Sequence, residues 1–453
     1  MAVTRRDLLS MTLAAAATLS TPGARAESAF RTPWRNWSGA LHATPASRVA
    51  PASTAELQRF LRAGRSPLRP VGAGHSFSPL VPTQGDLLVL DRLQGLGDVD
   101  ATTLQAQVRA GTRLSQLGPL LDDVGQACWN MPDIDRQTLA GALSTATHGT
   151  GDFRSLSGYV TALRLVTVEG ELLELDAEAE ADVDLFHAAA VSLGTLGIIT
   201  EATLANTRPL RLKSRSVFEP LETVLAEFEA RVRNHRHFEF FPLPYCDFVS
   251  SLTIDETDAP IHNPAPTPEE DAAMTDLLRT LLATPIMARR VVFNRIVESL
   301  EPSEAVDRSY GILCNIRNQR FNEMEYSVPA AAGMACVREL MDTISERRID
   351  VTFPLEVRYI AGDECWLSMM HGGPRVSISV HEFADRDHRP YFDAVEPVFW
   401  KYGGRPHWGK VHSLGHEQLT ELYPRFEDFR ALRARLDPRG RLLNDHLRTV
   451  FGA

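Results

Sequence analysis

Residues 69–79 read Arg69-Pro70-Val71-Gly72-Ala73-Gly74-His75-Ser76-Phe77-Ser78-Pro79. Gly72 and Gly74 open the pattern of a dinucleotide-binding turn, but Phe77 stands where its third glycine belongs. Pro79 falls where the following helix should run, and Pro70 interrupts the strand before it, which argues against a Rossmann site. What the stretch offers instead is a run of small residues whose backbone N–H groups can face an anion, as in a phosphate nest. Read alone, it fits an ordinary glycine turn equally well.

A second stretch shifts that balance. Gly141-Ala142-Leu143-Ser144-Thr145-Ala146-Thr147-His148-Gly149-Thr150-Gly151 again combines small residues, hydroxyls and a histidine. Without bulky side chains the backbone can approach a ligand closely and present many donors. Two such loops suit a pyrophosphate flanked by aromatic ring systems. A third stretch, Ser192-Leu193-Gly194-Thr195-Leu196-Gly197-Ile198-Ile199-Thr200, reads as a helix end turning into a strand; a Schellman stop explains it as well as ligand contact does.

Around these stretches, residues 38–208 alternate short strands with helices. Gln105 to Ala110 alternates as a strand, Thr112 is placed as an N-cap, and Leu114, Leu117, Leu120, Leu121 and Val124 follow on one helical face before Gly125. Glu169-Gly170 marks a hairpin between Val160–Val168 and Glu171–Leu175. From residue 209 the texture changes to strands such as His237 to Phe241 and longer helices around Leu221 to Val232 and Ala331 to Arg347. Asp255 to Asp271, with four prolines and six acidic residues, is expected to be a solvated loop.

The 453 residues, 44% apolar and 23% charged, suit two or three globular domains. A formal charge of −11 without a long basic run argues against a nucleic-acid surface. Thr4-Arg5-Arg6-Asp7-Leu8-Leu9, an uncharged stretch to Pro22 and Ala24-Arg25-Ala26 read as a cleavable twin-arginine signal over residues 1–26. Its apolar core is too short to span a bilayer, and cleavage leaves a charge of −13 with no transmembrane segment expected in the mature chain. A periplasmic or extracellular protein is therefore expected. The five cysteines, Cys128, Cys246, Cys314, Cys336 and Cys365, include no Cys-x-x-Cys pair, so no metal site is expected, while one or two disulfides stay open.

The order of these motifs resembles the FAD domain of the vanillyl-alcohol-oxidase type, and within it the aldonolactone oxidoreductases. That group holds gulonolactone, galactonolactone and arabinonolactone oxidases or dehydrogenases, with alditol oxidases close by. The second half agrees, through His237-Phe238-Glu239-Phe240-Phe241-Pro242, Phe321-Asn322-Glu323-Met324-Glu325-Tyr326, Glu356-Val357-Arg358, Gly403-Gly404-Arg405-Pro406-His407-Trp408-Gly409-Lys410 and Asp437-Pro438-Arg439-Gly440. The likeness covers almost the whole mature chain. It implies an α+β fold: a PCMH-type FAD-binding domain over residues 38–208, a substrate (cap) domain on an antiparallel sheet over 209–403, and a segment from 404 to 453 returning to the flavin.

The resemblance also implies that FAD is held by Val71, Gly72, Ala73, Gly74, His75 and Ser76; by Gly141, Ser144, Thr145, Thr147, His148, Gly149 and Gly151; by Gly194, Gly197 and Ile199; and by His407. In many members the histidine at the position of His75 is bonded covalently to the flavin, and that attachment is expected here. Ala146 is placed beside the flavin, where the group controls access of dioxygen, leaving O2 and another electron acceptor both open.

Glu356 and Arg358 are two apart, so on a strand they share a face, with Phe353, Leu355, Val357 and Tyr359 expected on the opposite, apolar one. A surface ion pair is the commonplace explanation; the resemblance places the two in the substrate site. Lys410 is one of only three lysines, with Lys213 and Lys401, among 47 basic residues. A compact point donor, or an amine with a lowered pKa, explains why arginine does not serve. His381 and His412 are read as structural. The implied reaction is oxidation of the CH–OH group of a sugar-derived lactone, of the L-gulono- or D-arabinono-1,4-lactone type, by hydride delivery to flavin N5. Oxidation of an open-chain polyol, an NADPH-fed reductase of the same fold and a non-catalytic flavin- or sugar-binding protein are the alternatives.

Overall fold

Four β-sheets organise the described residues of this computed structural model, which are 33–453 apart from Arg65, residues 263–267 and Ile316. The export signal expected at residues 1–26 lies outside them. A two-stranded sheet pairs Trp34–Arg35 with His42–Ala43. A parallel three-stranded sheet orders Ser47–Val49, Asp86–Val89 and Leu68–Val71. Pro70 lies inside Leu68–Val71 rather than breaking it, because this is an edge strand where a missing N–H costs no ladder bond. No helix follows the turn after it, which removes the Rossmann arrangement.

An antiparallel five-stranded sheet orders Leu96–Asp100, Gln105–Arg109, Ile198–Ala205, Val160–Val166 and Leu172–Asp176. The last two flank the Glu169-Gly170 turn, with Gly170 at φ +79°. The helix after Gln105–Arg109 covers Leu114–Asp122, and Arg113, not Thr112, occupies its N-cap position. The Thr112 hydroxyl is engaged elsewhere, accepting from the Gly95 N–H at 3.0 Å.

The antiparallel sheet expected in the second half has eight strands. In order they are Ser303–Arg308, Arg211–Pro220, Phe248–Glu256, His237–Pro242, Glu356–Ile360, Arg375–Phe383, Phe321–Pro329 and Arg405–Pro406. Met324, Tyr326, Val328, Val357, Val376, Ile378 and Val380 turn to its back, where helices Leu221–Asn234, Gly333–Glu346 and Arg389–Lys401 cover them. Residues two apart share a face of a strand, so the alternate set, which includes Glu323, Glu325, Glu356, Arg358, Ser377 and His381, faces the other way. The expected loop at 255–271 is only partly one. Strand Phe248–Glu256 ends inside it and a helix, Pro268–Leu282, begins before its end.

All five cysteines are buried and unpaired, so no disulfide forms. No helix among the described residues is long and apolar enough to cross a membrane.

Candidate active site

Between the front of the eight-stranded sheet and the small-residue loops lies a cavity of about 430 Å³. Arg69 holds the first loop, the third and the C-terminal segment at one point. Its buried guanidinium donates to the carbonyls of Leu80, Leu193, Gly194 and Leu442 at 2.5–3.1 Å. Gly72 abuts Thr138, whose hydroxyl caps helix Leu139–Ser144; a Cβ on Gly72 would stand 2.1 Å from that Oγ1. The first two cradles are thus packed against each other without room for one methyl group.

Val71, Gly72, Ala73, Gly74, His75 and Ser76 line the cavity, as do Gly141, Ser144, Thr145, Thr147 and His148, then Gly194, Gly197 and Ile199. Gly149 and Gly151 do not. A Cβ on Gly149 would lie 2.3 Å from the Met131 carbonyl, and one on Gly151 2.6 Å from that of Arg236, so both are small for backbone packing. Ala146 is likewise turned into the core at φ +55°, and its side chain does not reach the cavity between Thr145 and Thr147.

The C-terminal segment returns to the cavity through hydrogen bonds. Phe77 N–H donates to the Gly409 carbonyl at 2.6 Å and the Ser78 hydroxyl to that of Trp408 at 2.5 Å. His407 and Val411 N–H groups donate to the carbonyls of Glu325 and Glu323, both at 2.9 Å. These bonds set His407 and Lys410 beside strand Phe321–Pro329. His75 stacks on Trp37, ring centroids 5.3 Å apart. Burial, with Lys410, Arg113 and Arg136 nearby, depresses its pKa to about 4, leaving a neutral imidazole at pH 7.

Glu356, Arg358 and Lys410 all meet in this cavity. Arg358 Nη1 lies 3.4 Å from Glu356 Oε1, and Lys410 pairs with Glu323 and lies 3.7 Å from Glu325. Both members of the Glu356–Arg358 pair are buried, so the surface explanation falls. Phe353, expected behind the strand, precedes its start at Glu356 and lines the cavity. His381 also lines it, with Nε2 3.5 Å from Glu323, whereas His412 lies outside it, half-buried.

Sequence reasoning quoted Glu323 and Glu325 without giving them a role. Glu325 accepts from Ser377 Oγ at 2.5 Å, contacts His148 Nε2 at 2.7 Å and lies 3.5 Å from Arg358. Burial works to raise its pKa, yet His148, His407 and Arg358 hold the carboxyl well below its usual range. Burial also opposes ionisation of Glu323, which Lys410 and His381 nevertheless bring to about 2. Glu239, the cross-strand partner of Arg358, goes the other way: burial and the charge of Glu356 push it up to about 8. Glu356 is raised as well, chiefly by burial. Asp133 and Arg317, paired at 3.1 Å on the cavity wall, complete the set. Five carboxyl groups thus face three cations, and the two in excess, Glu239 and Glu356, are the two whose ionisation is resisted.

The alternation of Glu323 and Glu325 within an apolar run was the available signal for them. Met274, Thr275 and Leu278 also line the cavity, from the helix that the acidic, proline-rich composition concealed. His148, Glu325 and His407 bring ligand atoms within 4.8 Å of one another, as do Glu323, Glu356 and His381. Arg358 and Lys410 already neutralise these carboxylates, which disfavours a further cation there.

Glu356 Oε1 and Arg358 Nε are buried with no hydrogen-bond partner, an arrangement that a hydroxylated ligand satisfies. On the opposite wall, the methyl-tight glycine cradle and the neutral His75 fit a dinucleotide diphosphate and its ring. The comparisons agree with both walls. The FAD binding domain family matches residues 45–176, and the D-arabinono-1,4-lactone oxidase family matches residues 202–450. The L-gulono-1,4-lactone dehydrogenase of Mycobacterium tuberculosis is 37% identical over 92% of this chain and 99% of its own. The L-gulonolactone oxidase of Mus musculus and an alditol oxidase of Streptomyces are each 28% identical over 92% of this chain and 98% of theirs. Among solved structures, a cholesterol oxidase from Brevibacterium sterolicum superposes with a TM-score of 0.77 at 16% identity, over 93% of this chain and 97% of that one, a likeness of fold alone. This FAD-linked oxidoreductase of CH–OH donors belongs to the D-arabinono-1,4-lactone oxidase family.

Proposed function

We propose that this protein oxidises a sugar-derived 1,4-lactone of the L-gulono or D-arabinono type, with O2 or another electron acceptor completing the cycle. The observation that carries the reading is the convergence of Glu356, Arg358 and Lys410 on one cavity, with Glu356 Oε1 and Arg358 Nε buried without a hydrogen-bond partner. When bound, FAD supplies a two-electron oxidant for a CH–OH carbon. Arg358 Nε donates to an oxygen of the lactone and orients its ring. Lys410, steadied by Glu323 and Glu325, donates to the oxygen of the reacting hydroxyl. Glu356 Oε1 accepts the hydroxyl proton, a task suited to a carboxylate whose burial raises its basicity. The fixed charges of Arg358 and Lys410 stabilise negative charge developing in the cavity.

We also propose that His75 carries the flavin covalently, supported by its neutral ring at the cradle wall. Residues 1–26 are proposed to direct export through the twin-arginine route. The mature N-terminus of the exported protein tests the leader; flavin freed by acid precipitation would disprove the attachment.

The relatives' names support a lactone over a polyol, as does the higher identity to the lactone dehydrogenase. The test is anaerobic bleaching of the flavin by a panel of aldonolactones, xylitol and sorbitol, followed by readmission of air. Faster reduction by a lactone is expected. Faster reduction by the polyols would make this an alditol oxidase, and bleaching by none would leave a binding protein. Prompt reoxidation in air would identify an oxidase.

A further inference from the structure

The front of the eight-stranded sheet changes character along one row. Phe218 pairs with Ser250, Ser250 with Phe241, Glu356 with Ser379 and Ser379 with Glu325. The registers Glu239–Arg358 and Phe240–Val357, continued by one residue, set Phe241 against Glu356. Six neighbouring side chains therefore cross six strands, running from aromatic at one end to carboxylate at the other. Neighbours in such a row sit roughly 5 Å apart.

The aromatic end is part of the same cavity. Phe218, Phe241, Leu243, Phe353, Met274 and Leu278 line it, the last two from helix Pro268–Leu282. Leu243 rests on a small core of its own with Cys246, Leu281, Phe293 and Val297, which backs this part of the wall. Phe218, Phe241 and Phe353 are only partly buried, and Met274 is 49% exposed. A free sugar lactone held at Glu356 and Arg358 is polar throughout and carries no apolar substituent to set against this surface.

We propose that the donor carries an apolar substituent, aliphatic or aromatic, seated among these six residues while its oxidised CH–OH end meets Glu356, Arg358 and Lys410. This rests on the function proposed above and names the substrate class for it: an alkylated or arylated sugar lactone rather than the bare sugar acid lactone. Because Phe241 adjoins Glu356 in the row, one molecule of modest length reaches both ends. That continuity favours the donor over a separate apolar electron acceptor.

The test compares L-gulono-1,4-lactone with its 6-O-benzyl ether in anaerobic flavin reduction by the holoenzyme. The ether is expected to bind at least ten-fold more tightly with a limiting rate of similar size, and Met274→Ser and Phe218→Ser to bring the ratio of the two donors' kcat/KM towards one. Equal or weaker use of the ether, with the parent lactone still bleaching the flavin, would overturn the apolar subsite and leave the lactone function standing. Bleaching by neither would defeat that function instead. The subsite is then read from perturbation of the flavin spectrum, where failure of the ether to bind more tightly than the parent defeats it too. An apolar quinone whose KM rises in both variants while the donor ratio stays unchanged would assign the surface to the acceptor and also refute the proposal.

Discussion

His148 and Glu325 stand 177 residues apart in the chain, yet His148 Nε2 meets Glu325 Oε1 at 2.7 Å. The contact ties the second glycine-rich segment to strand Phe321–Pro329 of the large sheet. It also fixes the carboxylate around which Ser377, Arg358 and Lys410 gather. One buried charge thereby positions groups from four separate parts of the sequence.

Glu325→Gln keeps the shape but removes that charge. It is expected to destabilise the protein by about 3–5 kcal/mol at pH 7, the cost of breaking a buried ion pair. The carboxyl's folded pKa lies well below its unfolded value, so its contribution is present above the ordinary Glu range and lost as pH falls through the folded value. Denaturant unfolding at several pH values checks this: wild type and variant should converge only in strong acid.

Lys410→Arg preserves charge but replaces a compact ammonium by a longer planar fork. The ammonium sits between Glu323 and Glu325 and 5.2 Å from the centre of the Phe77 ring, leaving little room for the fork. Stopped-flow flavin reduction should slow by about 10²-fold, the order of magnitude for losing one aligned donor. A rate within two-fold of wild type would remove Lys410 from the reacting oxygen.

Gly72→Ala drives a methyl group to 2.1 Å from Thr138 Oγ1, so the two cradles must separate. The variant should lose roughly 1–3 kcal/mol of stability, the usual cost of overpacking, and purify with a lower flavin-to-protein ratio. Visible absorbance against protein concentration measures the second effect, and a full flavin complement would show that the cradles tolerate separation.

Glu239 has a folded pKa of about 8, above its unfolded value. The neutral form is favoured in the fold, so its stabilising share is complete below the unfolded pKa and lost as pH rises to about 8. Wild-type stability should therefore fall across that window with a slope of up to about 1.4 kcal/mol per pH unit for the one proton involved. In Glu239→Gln that component of the slope should vanish. Chemical denaturation between pH 5 and pH 9, roughly spanning this window, checks it; parallel curves would show that Glu239 ionises freely.

Much of the architecture was legible because it is written locally. The Glu169-Gly170 hairpin needs only its own turn residues, and Glu356 and Arg358 share a face because strand periodicity is two. Phe77 in place of the third glycine and Pro79 where a helix should run were enough to turn the reading away from a Rossmann site. Helix Pro268–Leu282 was not legible, since prolines and acids mark a loop and a helix start alike. Nor was the outward packing of Gly149, Gly151 and Ala146, because a small residue looks the same whether a ligand or another backbone demands it.

Residue order made the two small-residue loops, the shared face of Glu356 and Arg358 and the scarcity of lysine legible, since each is a matter of local composition and period; their assignment to one site came from the family resemblance. Which carboxyls carry charge was settled by folding. Glu323 and Glu325 are drawn down while Glu239 and Glu356 are pushed up, although all four are glutamates on neighbouring strands. The difference lies in the pairing of Glu323 with Lys410 and of Glu325 with His148, since Arg358 lies about as close to Glu356 as to Glu325. Such pairings arise only when strands remote in the chain are brought into register.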